Sequence, residues 1–119
     1  MTQQESPSRG TGSGGSTMDI VRDGHTLVLR GDFDVRSTME VRTAIHEHLH
    51  GVDHDVVIDL SGVGTLDSTA ARVLAFATLE AGRSGHHLRV RGCGPAVARM
   101  LHLTRLARFI EVEREAASA

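Results

Sequence analysis

Two short stretches carry residue types that could do chemistry. His46-Glu47-His48-Leu49-His50 fits the H-E-x-x-H pattern, in which two histidines one helical turn apart hold zinc and the glutamate serves as general base. Thr65-Leu66-Asp67-Ser68-Thr69-Ala70-Ala71-Arg72 sets a carboxylate and a hydroxyl ahead of a run that reads as helix, with an arginine in its first turn. Ser68 could cap that helix, or it could be a place where charge is added.

A helical wheel weakens the zinc reading. At about 100° per residue, Val41, Ile45, Leu49 and Val52 cluster on one side. His46 and His50 lie well away from that centre and Glu47 lies opposite it, towards water, while His48 sits near the apolar edge and packs by its ring. A zinc protease needs the pair to line a cleft with a third ligand, and neither is evident in the sequence. No metal site and no cofactor is therefore assigned. Adventitious metal binding by the i, i+4 histidines remains an expectation, with a zinc hydrolase as a distant third reading.

The other reactive groups are isolated. His86, His87 and His102 are scattered and expected at the solvated surface. Gly92-Cys93-Gly94-Pro95 lacks the lysine and Ser/Thr of a phosphate loop. Cys93 is the single cysteine, which excludes an internal disulfide and fits a reducing compartment. As a nucleophile it would need a positioned base, and none can be read. Ser68 is flanked by Leu66 and Ala70 rather than the glycines of a G-x-S-x-G elbow, so hydrolytic chemistry is not indicated. The chain reads as a non-enzyme.

For Asp67-Ser68-Thr69 the plain reading is capping, with Asp67 or Ser68 accepting a hydrogen bond from a free backbone N–H. Arg72 fits that reading poorly. A cation in the first turn opposes the positive end of the helix dipole, at a cost of about a few tenths of a kcal/mol. One turn from position 68, it could pair with a phosphate placed there, or it could lay its stem over apolar neighbours.

The elements that must position these residues follow from composition and period. The chain has 119 residues, 39% of them hydrophobic, but only three Phe and no Trp or Tyr, so its core must be aliphatic. With a formal charge of −2 and few rings it offers neither a broad basic field nor stacking platforms for nucleic acid. No run approaches the roughly 18 apolar residues of a membrane span. Nor does an apolar signal core open the chain, so a soluble, cytoplasmic protein is expected.

Residues 1–17, rich in Gly and Ser, read as a flexible tail, and 114–119 as a short C-terminal one, leaving 18–113 as the domain. Two strands are expected around Asp23-Gly24, with Gly31 to Asp34 as a loop. A helix capped by Ser37 or Thr38 runs to about His50 and ends at Gly51. Asp55 to Leu60, apolar on both faces at Val56-Val57-Ile58, reads as a central strand covered by helices, with Ser61 to Thr65 as a turn. A helix from Ser68 to about Ala81, apolar nearly all round, is expected to be heavily buried. A strand around His86 to Gly92, a helix at Pro95 to Leu103 and a strand at Arg108 to Val112 complete an α/β fold.

From about Met18 to Val112 the sequence resembles the STAS domains, and among them the bacterial anti-sigma factor antagonists. Gly31-Asp32-Phe33-Asp34 looks like the family's Gly-Glu-Leu-Asp loop, Val56 to Thr69 is close to its central strand and switch loop, and Pro95 to Leu106 is similar to its next helix and turn. Ala70, Ala71 and Arg72 replace the family's usual Gly-Leu-Gly, Arg105 stands where it prefers glycine, and Glu113 to Ala119 leave room for at most a short final helix. The resemblance implies a mixed sheet of four to five strands with helices packed against it, opening with a β-hairpin. It further implies a partner, an anti-sigma factor that is also a serine kinase. Phosphorylation at Ser68, with Thr69 as secondary acceptor, ends the interaction, and a serine phosphatase restores it. Asp34, Asp67, Ser68, Thr69 and Arg72 would form the contact. The alternative is a STAS-type module with a degenerate switch, binding a protein or small ligand constitutively.

Overall fold

The computed structural model describes residues 18–50 and 55–113. Strand β1 (Met18–Asp23) turns back antiparallel into β2 (Thr26–Phe33), and three units of helix and parallel strand follow. These are α1 (Thr38–His50) with β3 (Val56–Leu66), α2 (Ser68–Arg83) with β4 (Leu88–Arg91), and α3 (Pro95–Leu103) with β5 (Glu111–Val112). The sheet order is β1-β2-β3-β4-β5, which makes the expected mixed α/β sheet, with five strands and an opening hairpin. The tails, Gly51 and Val52 lie outside the described residues.

Topology dictates the layers. Each crossover from β2 onward advances to the next strand in the same direction, and right-handed crossovers then place all three helices on one face. Burial agrees. Leu27 and Leu29, Val56, Ile58 and Leu60, and Leu88 and Val90 are buried under the helices, while Val28, Val57, Asp59, Arg89 and Arg91 alternate with them and are half-exposed. The expectation of a central strand covered on both faces is therefore corrected at Val57. The second face is a polar ladder, in which Arg91 pairs with Asp59 across β3 and β4 at 3.2 Å.

Local differences have local causes. The hairpin loop is Gly24-His25 rather than Asp23-Gly24. Gly24 takes φ +63° at the first turn position, as in the II′ class, and Asp23 pairs with Thr26 as part of the ladder. Both expected loops after β2 and β3 are strand: β2 runs to Phe33 and β3 to Leu66. Their pairing survives the glycines because β3 carries two register shifts, between the partners of Val28 and Arg30 and between those of Gly31 and Asp32. Gly62 belongs there because a Cβ would fall 2.7 Å from the Arg30 Cγ. The expected last strand is instead one 3₁₀ turn, Ala107–Phe109, ahead of a two-residue β5.

Helix α2 is not buried all round. Its inner face is mostly alanine (Ala70, Ala71, Ala75, Ala77 and Ala81, with Leu74), small enough to seat the helix closely on the sheet. The larger Phe76 and Leu79 face outward, 67% and 48% exposed. His48 of α1 is buried as expected, its Nε2 donating to the His25 carbonyl at 3.3 Å.

Candidate functional site

The loops leaving β2 and β3 meet at the carboxyl end of the parallel strands, where open α/β sheets place their sites. One carboxylate joins them. Asp67 is the N-cap of α2: its Oδ1 accepts from the Ala70 N–H at 2.8 Å, and its Oδ2 accepts from the Val35 N–H at 3.0 Å. Its own N–H donates to the Phe33 carbonyl at 3.2 Å. The capping question is thereby answered in favour of Asp67.

Ser68 occupies the first helical position and is exposed. Among the described residues its hydroxyl serves no cap and ties down no loop. Thr69 beside it is half-buried. Ser37 and Thr38, expected to cap α1, spend their hydroxyls on the preceding loop instead. Ser37 is fully buried and donates towards the carbonyls of Asp32 and Asp34, and Thr38 donates to the Val35 carbonyl at 3.1 Å.

Asp34 sits in that loop with its carboxylate gripped by Arg36, at 3.2 Å from Nε and 2.8 Å from a terminal nitrogen, and by the Arg36 N–H at 3.0 Å. The Arg36 side-chain hydrogen bonds hold the Asp34 carboxyl below its ordinary range. The Val35 N–H bond to Asp67 ties the loop that carries Asp34 to the residue just before Ser68. Arg72 is exposed one turn further along α2, but it forms no hydrogen bond to Ser68 and no ion pair among the described residues. Ala70 and Ala71 are fully buried and face the sheet, so these two departures from the family pattern lie beneath the surface.

From Thr69, the residue after Ser68, a groove of about 350 Å³ runs between α1 and α2. The two helices lie side by side because both follow parallel strands. Ile45, Val73 and Ala77 line its floor, Met39 and Phe76 stand over it, and Arg42 and Arg72 flank it. Met39 and Phe76 are 70% and 67% exposed, two large apolar side chains side by side on the surface of the groove. Sequence reasoning missed Met39, Arg42 and Phe76. The signal was available in α2, where a wheel centred on the alanines puts Ser68, Arg72, Phe76 and Leu79 along one outer stripe.

The remaining candidates separate from this site. Cys93 is half-buried, and burial pushes its thiol up, away from the reactive thiolate. Gly92 takes φ +76° against Ser61, where a Cβ would meet the Ser61 Cβ at 2.8 Å, so its role is close packing. His87 is exposed and its Nδ1 lies 2.9 Å from a Glu111 carboxylate oxygen. Among the described residues no helix is long and apolar enough to cross a membrane.

Comparison with known proteins places this geometry in a family. The family model described as Mlab, STAS domain matches residues 16–112. None of the curated proteins matches the sequence. Among solved structures, an anti-sigma factor antagonist from Mycobacterium paratuberculosis is similar at 24% identity and a TM-score of 0.69, covering 91% of this chain and 94% of that one. A putative anti-sigma factor antagonist from Thermotoga maritima is similar at 16% identity and a TM-score of 0.68, over 85% and 89% of the two chains. The Bacillus cell fate determinant SpoIIAA in its phosphorylated form is similar at 13% identity and a TM-score of 0.59, over 85% and 95%. With a family model spanning most of its length and the same fold in these structures, the chain belongs to the STAS domain family.

Proposed function

We propose that the protein is an anti-sigma factor antagonist that acts by reversible protein binding and is switched at Ser68. The unmodified form binds an anti-sigma factor that is also a serine kinase. Phosphorylation of Ser68 ends that contact, and a serine phosphatase restores it. Thr69 is the secondary acceptor, and Asp34, Asp67 and Arg72 shape the contact around the hydroxyl. The protein works in the cytoplasm as a binding module without catalysis of its own, through a unit at residues 18–113 with tails at 1–17 and 114–119.

The observation that carries this reading is the division of labour at the start of α2. Asp67 does the capping, so among the described residues the exposed Ser68 hydroxyl has no structural duty. A phosphate there would meet the positive end of the helix dipole and be tolerated by the fold. A docked partner would not tolerate it. About −1.5 to −2 of new charge would have to be desolvated beside Asp34 and Asp67. Each 1.4 kcal/mol of that cost is about tenfold in affinity.

Arg72 favours a second reading. Its exposed guanidinium stands in the first turn where the family usually has glycine, and it could hold a ligand or protein without any switch. The two readings part in one experiment. The anti-sigma factor is captured from native cells with Ser68→Ala and Ser68→Asp baits, then incubated with the wild-type chain and ATP. The switch predicts phosphate on Ser68 by mass spectrometry, capture by Ser68→Ala and at least tenfold weaker capture by Ser68→Asp. Equal capture by both baits with no phosphate on Ser68 refutes it in favour of the constitutive module.

A further inference from the structure

The groove between α1 and α2 ends, at the far side from Ser68, in side chains that the proposed function does not use. His46 and His50 stand one turn apart on the face of α1 that meets α2, and α2 answers them with Glu80. One ligand atom from each of the three lies within 4.8 Å of the others. We propose that His46, His50 and Glu80 form a divalent-cation site of the zinc class that ties α1 to α2.

Four features carry the assignment. Two imidazoles and one carboxylate form a donor set that suits zinc, with room left for solvent or a further ligand. His46 Nδ1 already lies 3.0 Å from a Glu80 oxygen. Bonds of about 2.0–2.1 Å to a tetrahedral ion put neighbouring ligand atoms about 3.3 Å apart. His50 Nδ1 lies 3.0 Å from the His46 backbone carbonyl, which can only accept, so this nitrogen carries the proton and Nε2 is the lone-pair donor. A backbone carbonyl holding the second nitrogen is the usual support of a metal-bound histidine. Finally, a small cavity of about 40 Å³ lies beside His50 and Glu80, with His86 also in its lining.

Core packing leaves the three side chains free to turn towards an ion: those of His46 and Glu80 are 56% and 41% exposed, and His50 is exposed. The sequence set aside a catalytic zinc at His46 and His50, on their place on the helical wheel and for want of a cleft and a third ligand, and left only adventitious binding by the histidine pair. That ligand is 34 residues away, on the next helix. Glu47, the base of the H-E-x-x-H pattern, has no place in this set, so the inference is a binding site and not a hydrolase.

The test uses the full chain, stripped with chelator and titrated with ZnCl₂ by calorimetry, with bound zinc counted by mass spectrometry. One zinc per chain is expected, with dissociation in the micromolar range or below. At about 100 times that concentration the melting temperature should rise by about 11–22 °C. His50→Ala and Glu80→Ala should each weaken binding at least tenfold, while His87→Ala leaves it unchanged. Circular dichroism checks that the variants are folded, which their exposed positions favour. Absence of saturable zinc binding, wild-type affinity in either triad variant, or loss of binding in His87→Ala would overturn the assignment.

Discussion

Asp67 holds two segments with one carboxylate, and that makes it separable from Ser68 by stability alone. Replacing Asp67 with alanine removes the cap bond to the Ala70 N–H and the bond to the Val35 N–H. Loss of an N-cap costs about 1 kcal/mol. A hydrogen bond to a charged group is worth about 1.5–3 kcal/mol when shielded, and the exposed Val35 end justifies no more than about 1. The sum is about 2 kcal/mol, or a fall of roughly 8–16 °C in melting temperature for a domain of this size. Asp67→Asn should fall between, because its amide oxygen can serve one N–H and its NH₂ cannot accept from the other. Ser68→Ala should stay within about 0.5 kcal/mol of wild type, as expected of a surface position without a structural bond. Ser68→Asp should be neutral or slightly stabilising, since a negative charge in the first turn suits the dipole. Urea unfolding of the four variants at pH 7 measures this. If Ser68→Ala were as damaging as Asp67→Ala, the serine would be a structural residue and the reasoning that frees its hydroxyl for modification would fail.

Other consequences are as direct. Arg105 takes φ 64° behind α3, with the Leu106 N–H bonded to the Leu101 carbonyl and the Arg105 N–H to that of His102, a helix end that favours glycine at this residue. Arg105→Gly should therefore stabilise the domain by about 0.5–1 kcal/mol, seen as a rise of several degrees in melting temperature. Burial raises the Asp59 carboxyl, but hydrogen bonds from the Ser61 hydroxyl and N–H and from Arg91 outweigh it and set the group below its ordinary range. The stability from Asp59 is thus fully present above about pH 4 and lost as pH falls through the folded value. Asp59→Asn should be less stable at pH 7 and lose less on going to pH 3, by denaturant titration at both.

What the sequence disclosed and what it hid have physical reasons. Strand and helix order, the hairpin, α3 and the Asp67-Ser68 start of α2 were legible because apolar period and capping residues are local signals. The resemblance added that Arg105 stands at a glycine position, and its positive φ shows why glycine suits it. The continuation of β2 and β3 through Gly31, Gly62 and Gly64 was hidden. Those glycines read as turn residues, and only the shifted pairing of two distant strands keeps them in the sheet. The exposed side of α2 was hidden by treating alanine and phenylalanine as equally inward. Close seating on the sheet selects the small side chain and expels the large one, which leaves Phe76 over the groove. Glu80 was invisible as a companion of His46, because no local pattern links residues on two helices.

The order of the sheet leaves β1 and β5 as its outer strands, and outer strands are where one folded chain can be extended by another. This molecule answers the hazard differently at each margin. At one margin there are only two residues of strand, too few to template a neighbour. At the other, exposed Asp19, Arg22 and Asp23 put charge along a six-residue strand, where a stacked copy would have to bury it. Stacking of copies through strands is thereby opposed at both margins of the sheet.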